Sequence, residues 1–134
     1  MANEFIKRGI DDYLTSIPIS VNTENIEVSV KADNDKPDLT DIPMEAMWEM
    51  GRAFTYGQRK YSKNNFKNSG MLVSRQLAAA IRHIYQHLDG ETNDKESGAM
   101  HLGHALASIA MAVYNLKNHP EMDNRHKPDI EKHK

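Results

Sequence analysis

Histidines are concentrated in one part of the chain, where four of the seven fall in two pairs within IRHIYQHLDGETNDKESGAMHLGHA, residues 81–105. His83 and His87 are about one helical turn apart, and so are His101 and His104. Imidazoles at these spacings can ligate a divalent cation from one face of a helix, contact a phosphate directly, or form a polar seam inside a helical protein. The acids between the two pairs can bind metal, cap the following helix or remain solvated.

Carboxylates for a metal site are available on the preceding segment, MEAMWEM, where Glu45 and Glu49 are also about one turn apart. Carboxylate oxygens suit Mg²⁺ or Mn²⁺, and such an ion connects them to the oxygens of a triphosphate. We therefore predict Glu45 and Glu49 as catalytic carboxylates. The predicted metal ligands are Glu45, Glu49, His83, His101 and His104. A solvated helix face explains the glutamates equally well, and hydrogen bonding within the protein explains the histidines equally well.

A second cluster of functional side chains lies in TYGQRKYSKNNFK, residues 55–67, which combines rings, cations and amides. Aromatic rings stack on bases, whereas cations and amides hold phosphates. The candidate nucleotide-binding residues, from this cluster and elsewhere, are Lys36, Tyr56, Lys60, Tyr61, Asn65, Phe66, Arg82, His87 and Glu96. A basic surface loop would have the same composition, and a salt bridge to a loop acid is an equal explanation for Arg82.

Long helices are predicted to carry these residues, because apolar side chains recur at helical spacing in three segments. The first helix begins after a cap at Thr40 or Asp41, the second begins near Ser74, and the third spans residues 99–118. The side chains predicted to face the core are Met44, Met47, Trp48, Phe54, Leu77, Ile81, Ile84, Leu88, Leu102, Leu106, Ile109, Val113 and Leu116. Glu96 and Ser97 are predicted to cap the third helix.

An antiparallel hairpin of the second and third helices would bring the two histidine pairs together. His87 is then level with His101 and His83 with His104, because each pair lies at a comparable distance from the loop. The pairs lie beside the apolar stripes rather than on them. We therefore expect the four imidazoles to converge at the edge of a helical core.

The chain divides into three regions: an amino-terminal extension at 1–35, a helical domain at 36–119, and a charged, frayed tail at 120–134. The extension is predicted to hold a short amphipathic helix in EFIKRGIDDYLTSI and a small β-hairpin in ISVNTENIEVSV. The predicted fold is thus an all-α core of three helices with a helix and hairpin extension. Three such helices make a thin layer that gains burial by pairing, so we expect a homo-oligomer.

Composition limits the classes of partner. Seventeen basic and nineteen acidic residues give a net charge of −2, so long nucleic acid and anionic membranes are not attracted and a nucleotide needs a local site. With no cysteine there is no disulfide, thiolate metal site or catalytic thiol. No apolar run approaches the roughly 20 residues that span a bilayer, and the first residues lack a signal-peptide core. We expect a cytoplasmic protein.

Four strings, KPDLTDIP, YGQRKYSKNNF, AAAIRHIYQHLDGE and DKESGAMHLGHALAS, together resemble the phage and bacterial family of dATP/dGTP diphosphohydrolase amino-terminal domains. That family is placed near the MazG-like all-α nucleotide pyrophosphohydrolases, and the resemblance covers residues 36–118. It implies a MazG-like helical enzyme, usually oligomeric, that uses a divalent metal to cleave a nucleoside triphosphate into monophosphate and pyrophosphate. For a phage protein it implies location in the host cytoplasm.

The chain departs from the MazG-like pattern at the metal site. MazG-like enzymes usually carry ExxE and ExxD motifs on consecutive helices, whereas this chain reads RHIYQH and HLGH. Carried over by position, His101 and His104 stand at the ExxD acids, and His83 lies near the ExxE helix. Neutral imidazoles supply no negative charge, so such a site would need Glu45, Glu49 or the loop acids, prefer a softer ion such as Mn²⁺, or bind without metal.

Hydrolysis of a purine deoxynucleoside triphosphate is the leading hypothesis, with Arg82 and Lys60 neutralising phosphate charge and Tyr61, Asn65 or Phe66 contacting base or sugar. The alternative is a protein without catalysis that binds or sequesters a nucleotide or a cyclic-nucleotide signal. A helical interaction module, whose histidines only hydrogen-bond within the bundle, is a third hypothesis.

Overall fold

The computed structural model of the chain describes residues 27–128, which fall in two compact units divided after Asp41. In the first unit, residues 27–41 form turns and extended backbone, and Lys36 closes a turn by donating its N–H to the carbonyl of Asp33 at 3.0 Å. Both the backbone N–H and the hydroxyl of Thr40 donate to the Asp38 carboxylate. The predicted amino-terminal helix and most of the predicted hairpin lie outside the described residues.

The second unit consists of helices and the loops that join them, with one isolated antiparallel bridge between Asn93 and Met100 in its described part. Its elements are α1 (Met44–Tyr61), α2 (Asn65–Ser69), α3 (Val73–Leu88) and α4 (His101–Asn118), followed by a 3-10 helix at Pro120–Met122. These helices confirm the predicted all-α core, although α1 begins after Pro43 rather than directly after Thr40 or Asp41. Among the residues described, no helix is both long and apolar enough to cross a membrane.

The segment after α4 packs against the start of α3. The amide oxygen of Asn124 accepts from the backbone N–H of Ser74 at 3.1 Å, and its amide nitrogen donates to the Ser74 hydroxyl at 2.7 Å. Helix α3 begins at Val73, so Ser74 is not the predicted cap but the residue that Asn124 caps. Residues 120–124, predicted as part of a frayed tail, therefore contact the helical body.

Helix α4 is central to the unit, because α1 and α3 each pack against it and make few contacts with one another. Helix α1 approaches α4 closely at Gly103, where a Cβ atom would lie 2.6 Å from the carbonyl oxygen of Glu49. Between α3 and α4 the buried side chains are small or polar, including Ala80, Ala105 and Asn115. The three long helices thus form an open layer rather than a closed bundle.

The prediction that these side chains face the core is wrong for most of them, because the large apolar side chains are exposed. The exposed ones are Met44, Met47, Trp48, Leu77, Ile81, Ile84, Leu88, Leu106, Ile109, Val113 and Leu116. Only Phe54 and Leu102 of that predicted set are half-buried. Within the described residues, the buried apolar side chains are Ala53, Val73, Ala80, Ala99, Ala105, Ala107 and Ala112. Small side chains allow α4 to approach α1 and α3 closely. The stripes of large apolar side chains therefore face outward.

Candidate functional site

Three of the four clustered histidines converge where α3 faces the start of α4. The Nδ1 atoms of His83 and His101 are 2.9 Å apart, and the ring of His83 stacks on that of His104 with centroids 4.6 Å apart. The predicted pairing of His83 with His104 is confirmed. His87 does not complete the cluster as predicted: His83 takes its place beside His101, and the Nδ1 atom of His87 is buried without a hydrogen-bond partner among the described residues.

Glu91 anchors the cluster from the loop between α3 and α4. Its Oε1 atom lies 2.8 Å from Nε2 of His101, a side chain that is completely buried. The same ring reaches Nδ1 of His83 through its own Nδ1 atom, so a chain of two hydrogen bonds connects Glu91 to His83.

Ser97 anchors His104 in a similar way. The Ser97 hydroxyl lies 2.8 Å from the Asp94 carboxylate, to which it donates, and 2.6 Å from Nε2 of His104, from which it accepts. The loop turns back at Gly98, whose φ of +74° suits glycine, and Gly98 donates its N–H to the carbonyl of Asp94 at 2.7 Å. Since α4 begins only at His101, neither Ser97 nor Glu96 is the predicted cap of this helix.

Burial sets the charge of this cluster. It lowers the pKa of both His83 and His104 below the ordinary imidazole value, and the neighbouring imidazoles lower the pKa of His83 further. For Asp94, burial alone would raise the pKa of the carboxyl, but the hydrogen bonds from Ser97 outweigh it and the pKa is lowered. Neutral rings beside an ionised Asp94 are thus the expected state at neutral pH.

Helix α1 joins the loop through a second set of polar contacts. The Tyr56 hydroxyl and the Lys60 amine both donate to the same carboxylate oxygen of Glu96, the amine at 3.0 Å. The hydrogen bond from Tyr56 and that from Lys60 lower the pKa of Glu96, and the same bonds raise the pKa of Tyr56 and of Lys60. The edge of the Tyr56 ring also meets His104 with centroids 6.0 Å apart, so the two polar clusters are contiguous.

A cavity of 540 Å³ opens beside these clusters, among α1, α2, α3 and α4. Eight residues from the sequence-based predictions line it: Tyr56, Lys60, Tyr61, Asn65, Phe66, His83, Glu96 and His104. Phe66 is held in the wall by Phe54, at 5.7 Å between ring centroids, and by Tyr114, at 5.4 Å. The structure thus gathers the three aromatic residues of 55–67 and two of its four cationic residues, Lys60 and Lys67, around one space.

Sequence reasoning did not assign Lys67 to this site, and it considered Asn64 and Asp94 only as an amide of residues 55–67 and as one of the loop acids. Asn64, Lys67 and Asp94 also line the cavity, and the Lys67 amine lies 5.7 Å from the centre of the Tyr114 ring. The spacing of Asp94 and Ser97 in DKES was a usable signal, because an acid three residues before a serine is typical of side chains that bond a local turn. Nothing comparable marked Glu91 as the partner of a buried histidine.

The remaining predicted residues do not line this cavity in the described part of the chain. Glu45 is exposed in the first turn of α1, and Glu49 pairs with Arg52 at 3.6 Å. Arg82 is exposed on α3, and Lys36 belongs to the first unit. In residues 27–128 no group of three or more acids, histidines or cysteines is arranged to hold a metal ion. The assignment of five metal ligands stays a prediction.

A second groove lies between α1 and residues 97–99 of the loop. Met44, Met47 and Trp48 line one part of it, with Arg52 and Arg59 nearby. No histidine of the described residues lines this groove, and of the predicted nucleotide-binding residues its lining includes Tyr56 alone. The cavity beside His83 and His104 is therefore the better candidate site.

These features define the class of domain: an open helical layer with a cavity in which rings, amines and imidazoles meet. The chain belongs to the family described as dATP/dGTP diphosphohydrolase, N-terminal, whose model matches residues 27–125. It is similar to a dATP/dGTP diphosphohydrolase of Salmonella phage PMBT28, with 29% identity over 96 residues, or 72% of this chain and 32% of that protein. The chain thus spans about a third of the length of this curated relative. No solved structure matches it.

Proposed function

We propose that this chain binds a purine deoxynucleoside triphosphate in the cavity beside the histidine cluster. The observation that carries the proposal is the 540 Å³ cavity, which brings rings, amines and imidazoles around one space. Small-molecule sites typically have volumes of about 300–1,000 Å³ and combine apolar walls with a few convergent polar groups. The family description and the name of the phage relative support a purine deoxynucleotide as the ligand.

The base is the part of the ligand that suits the aromatic wall. Tyr56, Tyr61 and Phe66 all line the cavity, and Phe66 packs against Phe54 and Tyr114. Stacking a base on such a ring contributes about 1–3 kcal/mol. A purine presents a larger ring face than a pyrimidine, so it gains more from the same wall.

The triphosphate is met by the amines of Lys60 and Lys67 and by the amides of Asn64 and Asn65, which line the same cavity. Lys60 is bound to Glu96 in the structure, with its amine 3.0 Å from the carboxylate. A triphosphate carries several negative charges and therefore competes effectively with one exposed carboxylate for this amine. Binding is expected to exchange the Lys60 to Glu96 contact for a Lys60 to phosphate contact.

A divalent cation in this proposal arrives with the nucleotide. His83 and His101 are hydrogen-bonded to each other, His101 also to Glu91, and His104 to Ser97. As arranged, these rings do not fit a resident ion. Mg²⁺ is ordinarily bound by one or two carboxylates together with substrate phosphates. Among the cavity residues, Asp94 and Glu96 are the carboxylates available to such a complex, and Mg²⁺ or Mn²⁺ would act as the companion of the triphosphate.

Two fates of the bound nucleotide follow from this proposal. Hydrolysis to monophosphate and pyrophosphate is the reaction that the family name indicates. Sequestration of the intact nucleotide is the second candidate, favoured by the histidine cluster, whose contacts with Glu91 and Ser97 leave few free donors for catalysis. The first predicts pyrophosphate release by this chain alone, and the second predicts recovery of unchanged triphosphate.

Calorimetric titration of the full chain with dATP, dGTP, dCTP and dTTP, with and without Mg²⁺ or Mn²⁺, tests the binding step. We expect the purine nucleotides to bind more tightly than the pyrimidine nucleotides. Chromatography of the nucleotide recovered after denaturation, together with a pyrophosphate assay, then identifies its fate. Absence of binding by all four nucleotides under every metal condition would refute the proposal.

A pair of lysine variants makes the test specific to the cavity. Lys60→Ala removes an amine that lines the cavity, and we expect the dissociation constant to rise about 10- to 100-fold, as for loss of a charged hydrogen bond. Lys63→Ala removes the same charge from an exposed position outside the cavity lining and serves as the control. Equal losses in both variants would mean that only general charge attracts the nucleotide.

A further inference from the structure

Helix α2, which forms part of the cavity wall, has little stability of its own. It contains only five residues, Asn65–Ser69, and isolated helices shorter than about 12 residues are marginal in water. The chain enters it through Ser62 at φ +92° and Asn64 at φ +61°, and leaves it through Gly70 at φ +68°. A serine at φ +92° and ψ 156° costs about 1–3 kcal/mol, so contacts from other elements are needed to hold this segment in place.

His119 connects α2 to the end of α4. Its backbone N–H donates to the carbonyl of Asn115 at 2.7 Å, which fixes the residue to the last turn of α4. Its side-chain Nε2 lies 3.0 Å from the carbonyl oxygen of Lys67 in α2. A carbonyl oxygen only accepts hydrogen bonds, so this nitrogen carries the hydrogen. The imidazole therefore donates a hydrogen bond that attaches the backbone of α2 to α4.

The strap, which we define as residues 119–124, also covers the turn that follows α2. A Cβ on Gly70 would lie 3.3 Å from the Cγ atom of Met122, so the strap packs closely on this turn. Further along, the amide group of Asn124 bonds the backbone N–H and the hydroxyl of Ser74 in the first turn of α3. The strap thus contacts the chain on both sides of the connection between α2 and α3.

We propose that His119 is a positioning residue for the ligand of the cavity, and that it acts by holding α2 in place. Phe66 and Lys67 of α2 line the cavity, whereas His119 does not. Residues that bind a ligand must be held within about 0.5 Å of the productive geometry, and the hydrogen bond to the carbonyl of Lys67 holds both of them at once. This role rests on the proposed function, because the ligand is the purine deoxynucleoside triphosphate.

Two substitutions at His119 separate its hydrogen bond from its ring. His119→Phe keeps a ring but has no donor, and we expect the dissociation constant for dATP or dGTP to rise about 3- to 10-fold, as for loss of one hydrogen bond. His119→Gln supplies an amide N–H in place of Nε2 and should bind nearly as well as the wild type. His126→Phe makes the same change at an exposed histidine outside the strap and is the control. Equal affinity losses in His119→Phe and His119→Gln, or none in either, would overturn the proposed role.

A double-mutant cycle tests whether His119 acts through α2. In a Lys67→Ala background the amine of α2 is already absent, so His119→Phe should weaken nucleotide binding less than it does in the wild type. In a Lys60→Ala background the missing amine belongs to α1, and the effect of His119→Phe should be undiminished. An effect through overall stability would be the same in both backgrounds, and that result would contradict a positioning role.

Amide hydrogen exchange of the chain without nucleotide gives a readout that does not depend on binding. The N–H groups of Lys67 and Asn68 donate to the carbonyl of Asn64 at 3.0 and 3.2 Å. We expect both amides to exchange faster in His119→Phe than in the wild type or His119→Gln, with exchange in the middle of α4 unchanged. Unaltered exchange in α2 would overturn the role of His119.

The same measurements distinguish failure of this role from failure of the proposed function. A wild-type chain that binds no nucleotide would refute the proposed function, and with it the role of His119 at the cavity. A wild-type chain that binds a purine deoxynucleoside triphosphate no more tightly than His119→Phe does would refute the role of His119 alone.

Discussion

His101 illustrates how much of this site depends on single hydrogen bonds. The side chain is completely buried, and its two nitrogens face Glu91 and His83 at 2.8 and 2.9 Å. Burial of a polar group without partners costs about 1–3 kcal/mol, so this histidine is stable in place only while both contacts persist. Glu91 thus has a positioning role, because it contacts His101, which in turn contacts His83.

Stability should fall on acidification because His83 and His104 have lowered pKa values in the folded chain. Above the ordinary imidazole pKa of 6.5 these rings are neutral in both states and contribute no pH dependence. Below it, the unfolded chain binds protons that the folded rings resist, so the free energy of unfolding decreases as pH falls toward the folded pKa values. Urea denaturation at a series of pH values measures this loss.

Two histidine variants test whether the histidine cluster causes this pH dependence of stability. His83→Gln removes one of the titrating rings, so its free energy of unfolding should change less between pH values on either side of 6.5. His126→Gln removes an exposed histidine from outside the cluster and should retain the full dependence. A His83→Gln profile parallel to that of the wild type would show that the cluster is not the cause.

The contact between α1 and α4 depends on the absence of one side chain. A Cβ on Gly103 would meet the carbonyl oxygen of Glu49 at 2.6 Å, which is backbone and cannot swing away. Gly103→Ala should therefore lower the free energy of unfolding by about 1–3 kcal/mol, as overpacking of a core does, despite alanine's better helix propensity. Chemical denaturation of the variant and wild type gives the difference.

Gly51→Ala is the control for this effect, because a Cβ there meets nothing within 4 Å. We expect that variant to be unchanged or more stable by up to about 1 kcal/mol, which is the propensity gain alone. Stability of Gly103→Ala equal to that of Gly51→Ala would mean that α1 and α4 do not approach as closely as described.

The three long helices and their order follow from apolar periodicity, but the direction of each apolar face does not. Leu77 and Ile109 stand on clear stripes, yet they are exposed, because periodicity shows which face avoids water and not what covers it. The contacts of α4 with its neighbouring helices depend instead on Gly103 and Ala105. Such small residues contribute little to the apolar periodicity of a sequence. The His83 to His104 contact was predictable from hairpin geometry, whereas the role of Glu91 depends on a loop conformation that the sequence does not specify.

At the scale of the whole molecule, the helical layer of residues 42–128 has two distinct sides. On one side the histidine cluster and the aromatic wall surround a 540 Å³ cavity, and on the other the large apolar side chains of α3 and α4 are exposed. The cavity is where we propose nucleotide binding.

The location of the bound nucleotide is the central claim, and an NMR titration of the labelled chain with dATP or dGTP tests it most directly. We predict that shifted signals concentrate at residues that line the cavity and not the second groove, such as Lys60 and Phe66. The chain has one tryptophan, Trp48, which lines the second groove, so its indole N–H signal should stay unshifted. Shifts centred on Trp48, or none at saturating nucleotide, would contradict the account.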